Sequence, residues 1–493
     1  MNYRTKHTGL RLTVIVALLA VFAGCKSVAT PPASAPLAGT EPRIFPDYAA
    51  TVIPPNIAPI RFRIEEPGVA FQTRIHGDQG TEITISRSDP AVPIPEAEWH
   101  RLLESNQGGV LKFEVTIQDR LGGWRRFKEF EVRVARERVD DYLVYRRKIP
   151  GQDWRQTSIQ IRQRTLGGFD DKIVLDNQRI GTSCINCHSF VGNKTRYMSL
   201  GFRHFIFDTG TILVIDGKIE KIPLKFGYTT WHPGGDVIVF QQPRLTPRGS
   251  RAEESDLFYY RRSTRTVRPI PGLAREDWLQ DGATFSTDGR ELFASAAPKP
   301  WGATPTKDVP SEVLRQIVPF DLVRVRFDID KDEWSEPEVI ISSRETGNSI
   351  LFPRTSPDGR WLTIRMMDYI YLVDLQKARE TGRFEPRQCP ELQTGESRGW
   401  NSWSSNGRWL VFSSSRETGI YIRTYLTYVD PEGQVHKPVL IPARDPSVQG
   451  EDPFMYNVPE LIDEPIPVSA DELAHAIRSM KFEEVNGYPP AKK

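Results

Sequence analysis

Residues 355–362 read TSPDGRWL, and three further stretches repeat their pattern. Each stretch has a small or aromatic residue, a short turn that contains glycine, a polar residue and the apolar start of a strand. The Asp-Gly and Asn-Gly pairs favour a positive-φ turn, so each stretch predicts a link between two antiparallel strands. The related stretches are 231–240 (WHPGGDVIVF), 285–293 (FSTDGRELF) and 403–412 (WSSNGRWLVF).

Further strand-like segments follow these turns, for example 256–261 and 369–374. Segments 142–146 and 211–218 look like parts of an earlier unit of the same kind. Four-stranded units that recur about every 50 to 70 residues indicate a β-propeller with inserted loops. We expect about six blades within residues 139–465, with five or seven as alternatives.

Residues 42–138 show the alternation typical of half-buried strands, for example LKFEVTI at 111–117. This pattern predicts a β-sandwich, immunoglobulin-like in general architecture, in front of the propeller. The chain is therefore predicted to be all-β. Two helical segments are expected beside the strands: a short turn at 95–103 with Pro95 in its first position, and a helix within 466–493 with a capping box from Ser469 to Glu472.

The predicted propeller contains one motif that carries chemistry, the pentapeptide CINCH at 184–188. Two thiols separated by two residues can attach a porphyrin covalently, and the adjoining imidazole can be the proximal ligand of its iron. We therefore predict one covalently attached haem c. Cys184 and Cys187 would hold the macrocycle and His188 the iron, in a loop insertion at about 179–205.

A zinc site and a dithiol redox switch are the other chemistries of such a cysteine pair. Cys25 and Cys389 are the only other cysteines, and no second CxxC or HxxxH pair completes a zinc set. The residues around the motif look like loop, and not like the strand-to-helix turn of a thioredoxin-like pair. Haem attachment is therefore favoured, and Cys389 is expected to be a buried or free thiol.

The sixth iron ligand is predicted to be Met198, which follows His188 by ten residues. An extended chain spans roughly 3.3 Å per residue, so the connection is long enough. His204 is the alternative ligand, and an open or water-bound position is the third possibility. A thioether would raise the reduction potential relative to two imidazoles, whereas an open position would permit small-ligand chemistry. Ordinary core packing is the competing explanation of Met198.

Basic residues bracket the motif and would suit either a rim for haem propionates and an acidic redox partner or an ordinary solvated loop. They are Lys172, Arg179, Lys194, Arg196 and Arg203.

The sequence offers no catalytic residue. It contains no Gly-rich phosphate loop and no GxSxG elbow. Asp236, Asp288, Asp358 and His232 fall at repeat positions, so we assign them to blade geometry. The formal net charge of +2 gives no case for nucleic-acid binding.

The amino terminus predicts export. Basic residues precede an apolar run at 14–23 within a targeting segment at 1–24. The sequence FAGC at 22–25 resembles a bacterial lipobox, in which Cys25 would be lipidated; Phe22 departs from the usual leucine and leaves ordinary signal cleavage open. Residues 25–41 have the composition of a flexible tether. We expect a lipid-anchored envelope protein at the periplasmic face of the outer membrane.

In its repeat chemistry the chain resembles TolB-type propellers with PD40 (WD40-like) repeats, over roughly residues 140–450. More closely, it resembles bacterial lipoproteins of Bacteroidota and related phyla that combine an amino-terminal β domain, a CxxCH loop and TolB-like repeats. The shared segments are PDY at 46–48, IPPNIAP at 53–59, CINCH, and YNVPE at 456–460. The resemblance implies the fold and haem attachment, and it supplies no reaction.

These observations predict an exported monohaem protein in electron transfer or redox-linked binding of an unidentified envelope partner. One alternative is a protein- or glycan-binding scaffold with a structural haem. The other is a haem enzyme or sensor that acts on a small ligand such as peroxide. Electron transfer or binding is favoured over enzymatic turnover.

Overall fold

The computed structural model describes residues 30–151, 157–203, 209–245, 251–299, 318–395, 399–447, 449 and 452–487. The targeting segment, Cys25 and His204 lie outside these residues. The described part of the chain is mostly antiparallel β-structure, as predicted. Within it, no helix is both long enough and apolar enough to span a membrane.

The N-terminal region forms a three-stranded and a six-stranded sheet. Phe130, Val132 and Val134 of the ninth strand are buried while the residues between them are exposed, which is the alternation that predicts a half-buried strand. The strands are β1 (Ile44–Phe45), β2 (Thr51–Ile53), β3 (Phe62–Ile64), β4 (Ala70–His76), β5 (Ile83–Arg87), β6 (Ala91–Val92), β7 (Val110–Gln118), β8 (Trp124–Arg126) and β9 (Phe130–Val134).

Helix α1 (Glu96–Ser105) lies between β6 and β7 and buries Trp99, Leu102 and Leu103. The sequence predicts Pro95 as the first residue of the helix, but in the structure Pro95 is the N-cap and precedes the first residue, Glu96. The backbone of Pro95 is extended, with ψ of 137°, so the helical hydrogen-bonding pattern begins one residue later.

Six further antiparallel sheets follow. Their earlier strands are β10 (Tyr142–Lys148), β11 (Ile159–Thr165), β12 (Asp171–Asp176), β13 (Cys184–Val191), β14 (Lys194–Arg203), β15 (Thr209–Ile215), β16 (Lys218–Ile222), β17 (Gly227–Trp231), β18 (Val237–Leu245), β19 (Arg251–Arg261), β20 (Thr266–Pro269), β21 (Trp278–Phe285) and β22 (Glu291–Pro298). Their later strands are β23 (Asp321–Asp328), β24 (Glu333–Trp334), β25 (Glu338–Ile341), β26 (Leu351–Thr355), β27 (Trp361–Met366), β28 (Tyr369–Asp374), β29 (Arg387–Gln393), β30 (Asn401–Trp403), β31 (Trp409–Ser414), β32 (Arg423–Tyr428), β33 (Val439–Leu440) and β34 (Met455–Ile462).

We number these sheets 1 to 6 in the order of their first strands along the chain. Sheet 1 has the strand order β12-β11-β10-β34, and sheet 4 has β24 and β25 both paired with β23. The others are consecutive meanders: β13 to β16 in sheet 2, β17 to β20 in sheet 3, β26 to β29 in sheet 5 and β30 to β33 in sheet 6.

One strand of each sheet faces a common axis, and we call these six the axial strands. Each axial strand contacts the next one around the ring. The order is β34, β13, β17, β21, β26 and β30, and β30 contacts β34 again. A closed ring of antiparallel sheets of this kind is the arrangement of a β-propeller. The ring is fastened in sheet 1, where the late strand β34 pairs with β10 from Tyr142↔Ile462 to Lys148↔Met455.

The repeated sequence stretches form the turns from axial strands to the strands that follow them. In three of them a serine hydroxyl donates a hydrogen bond to the side chain two residues later: Ser286 to Asp288 over 2.6 Å, Ser356 to Asp358 over 2.5 Å and Ser404 to Asn406 over 2.6 Å. The glycine after each has φ between 67° and 73°. These contacts confirm that Asp288 and Asp358 serve turn geometry; Asp236 instead accepts hydrogen bonds from the Ser263 amide and hydroxyl.

His232 takes the serine position in the remaining turn. Its Nδ1 accepts a hydrogen bond from the Gly234 amide over 3.0 Å, and its ring packs edge-on against Phe285 and Phe327. The prediction that His232 is structural is therefore confirmed.

The described residues also include the 3-10 helix Asn177–Ile180 and three more α-helices, α2 (Ser343–Thr346), α3 (Leu375–Thr381) and α4 (Ala470–Ser479). The capping box between Ser469 and Glu472 at the start of α4 is present, as predicted. Helix α4 covers the outer strands β12 and β16. The buried Lys221 ammonium donates to the carbonyls of Ile477 and Met480, where a cation stabilises the helix C-terminus.

The N-terminal region packs on sheets 1 and 6 through a shared apolar core that includes Trp409 and Leu461. The IPPNIAP segment takes part in this contact. The Asn56 side chain donates to the Val139 carbonyl over 2.8 Å and accepts from the Val139 amide over 3.0 Å. Asn56 thus fixes the chain where it enters the ring.

Candidate functional site

The CINCH motif lies in an axial strand, so the prediction of a loop insertion at 179–205 is wrong. Strands β13 and β14 form a hairpin in which Cys184 pairs with Arg203 and Asn186 with Gly201. The hairpin turn is Gly192-Asn193, with φ of 53° and 64°. Two consecutive positive-φ residues suit a tight hairpin turn, which the sequence analysis had read as part of a loop.

A β-bulge turns two successive motif residues toward the axis. The pairing of β13 with β14 shifts register between Asn186 and Ser189, and Cys187 has φ of 60°. In a regular strand, successive side chains point to opposite faces. Because of the bulge, Cys187 and His188 both line one cavity on the axis.

The same irregularity recurs around the ring. Four more axial strands shift register against their neighbours, and each has a residue with positive φ at the shift. These residues are Tyr228 (36°), Gly282 (61°), Phe352 (52°) and Val458 (52°). Left-handed backbone is unfavourable for bulky and β-branched residues, and such strain tends to cluster at functional sites.

The bulges surround the His188 cavity, which we define by Cys187, His188, Tyr228, Phe352, Trp400, Val458 and their neighbours on the axial strands. An aromatic triad closes it: the Tyr228 ring lies 5.0 Å from Trp400 and 5.9 Å from Phe352 between ring centroids. The cavity volume is about 30 Å³. This is the share of liquid volume of roughly one water molecule.

His188 is buried, with 2% of its surface exposed. Neither ring nitrogen makes a hydrogen bond of ordinary geometry with a described residue, although weak interactions with the backbone of Val458 and Val144 oppose the fall in its pKa. Burial, followed by the charge of Arg146, lowers the pKa of His188 to about 3. The imidazole is therefore neutral near pH 7, which is the protonation state that binds a metal.

The two motif cysteines are half-buried and form no disulfide. The Lys225 ammonium lies 4.0 Å from the Cys184 sulfur. Cys389, in contrast, is fully buried in β29, and burial raises the pKa of its thiol to about 11. The prediction of a buried, unpaired thiol at Cys389 is confirmed.

Met198 lies in β14 opposite Phe190 and is fully buried. Its side chain belongs to the apolar cluster between sheets 1 and 2, together with Ile161 and Leu200. It does not line the His188 cavity. The structure therefore does not bring Met198 into the cavity of the predicted proximal ligand.

The basic residues around the motif are largely neutralised. Arg179 pairs with Asp471, Lys194 with Asp463, and Arg196 with Asp216. Lys172 is exposed on β12, and Arg203 ends β14. Three of the five cations thus already have acidic partners within the chain.

The donor set of the motif fits a covalently attached haem. It offers two thiols that form no disulfide and a neutral imidazole whose nitrogens make no hydrogen bond of ordinary geometry with a described residue. The enclosed space beside His188 is too small for a macrocycle, because ligand sites commonly measure about 300 to 1,000 Å³. Support for haem therefore comes from donor chemistry, since the described residues around His188 form no preformed slot.

A second cavity lies on the axis toward the repeat turns, and Arg354 is the one described residue that lines both cavities. We call it the hydroxyl cavity; its volume is about 200 Å³. Residues from each axial strand line it, among them Phe190, Thr230, Thr284, Arg354, Ser402, Trp403 and Glu460.

An ion pair crosses the hydroxyl cavity. Arg354 Nη2 of β26 lies 3.1 Å from Glu460 Oε1 of β34, two sheets away around the ring. Burial raises the pKa of Glu460, although the charge of Arg354 and a hydrogen bond from Ser402 act against that rise. The pair therefore holds a carboxyl group in a place that disfavours its charge.

Sequence reasoning missed the residues that complete both cavities: Tyr228, Phe352, Arg354, Trp400 and Glu460. Glu460 and Val458 had a signal, because they belong to the YNVPE segment that supports the family resemblance. The others occupy axial positions whose equivalence becomes visible only when the bulges are aligned.

No protein-family model matches the sequence, and no curated protein is similar to it. Among solved structures it is similar to TolB from Acinetobacter baumannii (13% identity, 71% of this chain and 79% of that chain, TM-score 0.43). It is also similar to hydrazine synthase from Kuenenia stuttgartiensis (13%, 65% and 93%, 0.33) and to an oligogalacturonate lyase in complex with manganese (11%, 75% and 99%, 0.32). Likenesses at this level carry no argument, and the propeller fold rests on the ring of sheets.

Proposed function

We propose that this chain is an exported c-type haem protein that exchanges single electrons with a partner in the cell envelope. The observation that carries the proposal is the motif itself: two thiols that form no disulfide and the buried, neutral imidazole of His188, whose ring nitrogens make no hydrogen bond of ordinary geometry with a described residue. Buried polar groups are nearly always satisfied, so nitrogens that are bonded this weakly are available to a ligand.

Cys184 and Cys187 would hold the haem, and His188 would be the proximal ligand. A haem in this place supplies reversible one-electron chemistry. The chain itself contributes an aromatic triad that narrows the space beside the imidazole. The charges of Arg146 and Arg354 act on the same site and would favour its reduced form.

The proposal extends to the architecture and the location of the protein. The six sheets would be six propeller blades, and the two N-terminal sheets would be the predicted sandwich. Lipidation of Cys25 would tether the chain to a membrane, with the outer membrane facing the periplasm as the proposed place. Residues 25–41 would supply the flexible link.

The test is expression of the full chain with a c-type haem maturation system. Haem should remain with the polypeptide on denaturing gels for the natural chain and for the control Cys389→Ser, and should be absent from the Cys184→Ser/Cys187→Ser double variant. The bound haem should cycle reversibly between its oxidised and reduced forms without loss of structure.

Absence of covalent haem from the natural chain, in cells that load another c-type protein, would overturn the proposal. A covalent haem that resists reversible reduction would contradict electron transfer and leave the structural-haem scaffold.

A haem sensor or enzyme that binds a small ligand is the second candidate, and the position of Met198 favours it over electron transfer with methionine ligation. If the sixth position is open, the natural chain and Met198→Leu should have the same high-spin spectrum, and both should bind cyanide. If Met198 is a ligand, only the variant should do so.

A further inference from the structure

The hydroxyl cavity has properties of a ligand site that the haem proposal does not use. Its volume of about 200 Å³ corresponds to roughly six or seven water molecules at about 30 Å³ each. This space is below the usual range for drug-sized ligands, so its occupant must be small.

Arg354 supplies unused binding capacity in this cavity. A guanidinium has five N–H donors in a fixed fork, and a single one, on Nη2, has an acceptor side chain among the described residues, in Glu460. About a quarter of the Arg354 side chain is exposed although it lies on the ring axis. The exposed part faces the cavities that Arg354 lines, so its free donors are available to an occupant.

A second donor in the wall lacks a partner. Trp403 is 3% exposed, and its Nε1–H forms no hydrogen bond among the described residues. Thr230 adds a hydroxyl, which can donate as well, whereas the Ser402 hydroxyl already donates to Glu460. The wall is therefore rich in donors, and its one carboxyl group, Glu460, is held where burial disfavours its charge.

We propose that the hydroxyl cavity binds a small oxyanion, a carboxylate or a phosphate, through the guanidinium of Arg354. The anion takes the place of Glu460 as the partner of Arg354 and accepts hydrogen bonds from the unused donors. Guanidinium groups match both anions in a two-pronged geometry. The site stands apart from the haem proposal, since it needs none of Cys184, Cys187 and His188.

Because the bound anion and Glu460 compete for Arg354, the proposal predicts opposite changes in anion affinity for variants of these two residues. Removing Arg354 must weaken anion binding, whereas removing the charge of Glu460 must strengthen it. If the ion pair were purely structural, both variant proteins would be less stable than the natural chain and neither would bind an anion.

The experiment is calorimetric titration of the full, haem-free chain with acetate, succinate and inorganic phosphate. We expect one saturable site for at least one probe, and the probe that binds identifies the source of the oxyanion. Arg354→Gln should weaken binding by about tenfold or more, the effect of a lost hydrogen-bonded charge. Glu460→Gln should strengthen it.

Arg324→Gln is the matched control. Arg324 has a similar exposure of 16% and pairs with Glu291 and Glu338 at 3.1 and 2.7 Å, but it does not line the hydroxyl cavity. Binding should be unchanged in this variant. Arg354→Lys, which keeps the charge and loses the fork, should bind more tightly than Arg354→Gln and provides a readout if the glutamine variant folds poorly.

Two results would overturn the proposal. One is the absence of saturable binding of all three probes to both the natural chain and Glu460→Gln. The other is binding to a folded Arg354→Gln or Arg354→Lys variant with the affinity of the natural chain.

Discussion

The two cavities on the ring axis are built by the same six axial strands, yet the side chains that line them differ in chemistry. The His188 cavity is closed by three aromatic side chains and holds a base that makes no hydrogen bond of ordinary geometry with a described residue. The hydroxyl cavity is wider, polar and crossed by an ion pair. The ring can thus hold two different chemistries at different depths, because each axial strand contributes different side chains to the two cavities.

The bulges explain why the lining side chains change within a few residues from one cavity to the other. Around His188, five axial strands leave the regular register, so successive side chains can face the same cavity. The strands then reach the repeat turns, where the hydroxyls and Arg354 line the axis. Four experiments, in order of decreasing expected effect, test whether the two layers are independent.

The largest effect is expected from exchange of both motif cysteines. Cys184→Ser/Cys187→Ser should abolish covalent haem completely and leave anion affinity in the hydroxyl cavity within about twofold, since the lining residues of the two cavities meet only at Arg354. Haem staining and calorimetry measure the two outcomes. In the reverse direction, Arg354→Gln should retain covalent haem; joint loss of both properties in either variant would mean that the cavities form one site.

A stability difference should separate the walls of the cavities. Phe352 is 6% exposed and packs against Tyr228 and Trp400, so Phe352→Ala should lower the free energy of unfolding by about 3 to 5 kcal/mol. Trp403→Phe should cost only about 1 to 2 kcal/mol, because its N–H has no partner among the described residues and the void is smaller. Denaturant unfolding measures both, and equal losses would remove the distinction between the walls.

In haem-free protein, His188→Leu should be neutral or stabilising by about 1 kcal/mol. The substitution removes two buried nitrogens that make no hydrogen bond of ordinary geometry, and so removes the cost of burying them. Leucine fills the same space with an apolar group of similar size. Ser199→Ala is the control, because the Ser199 hydroxyl is bonded to Ser189 over 2.8 Å and its loss should destabilise. A clear destabilisation by His188→Leu would show that the imidazole has a structural role and would weaken its assignment as an idle ligand.

The smallest effect concerns pH. The pKa of Glu460 is raised in the folded protein, so between the unfolded value near 4.5 and the higher folded value the folded state binds more protons. Stability contributed by this group is therefore present below that window and is lost as the pH rises through it. Denaturation midpoints of the natural chain and Glu460→Gln, measured across that range, should converge at the acidic end and diverge in favour of the variant at the alkaline end; parallel curves would contradict the shift.

Several features of the ring follow from local sequence. The turn at 355–362 forms because Ser356, Asp358 and the amide of Trp361 satisfy one another within six residues. The capping box of α4 is equally local. Such patterns need few neighbours, so the sequence alone predicts them. The prediction of a loop around CINCH is wrong. Gly192-Asn193 is a local turn signal that makes β13 and β14 a hairpin, and the prediction did not use it.

The sequence by itself determined the repeat turns, the strand-rich fold and the motif that offers two thiols and an imidazole. Only the tertiary structure decided that the motif lies in an axial strand, that Tyr228 and Trp400 close over it, and that Arg354 meets Glu460, which is 106 residues distant. Those contacts depend on bulges that re-aim side chains and on β34 closing the ring. No local hydrogen-bond or hydrophobic pattern records them, because each partner sits on a different strand and meets the other only at the axis.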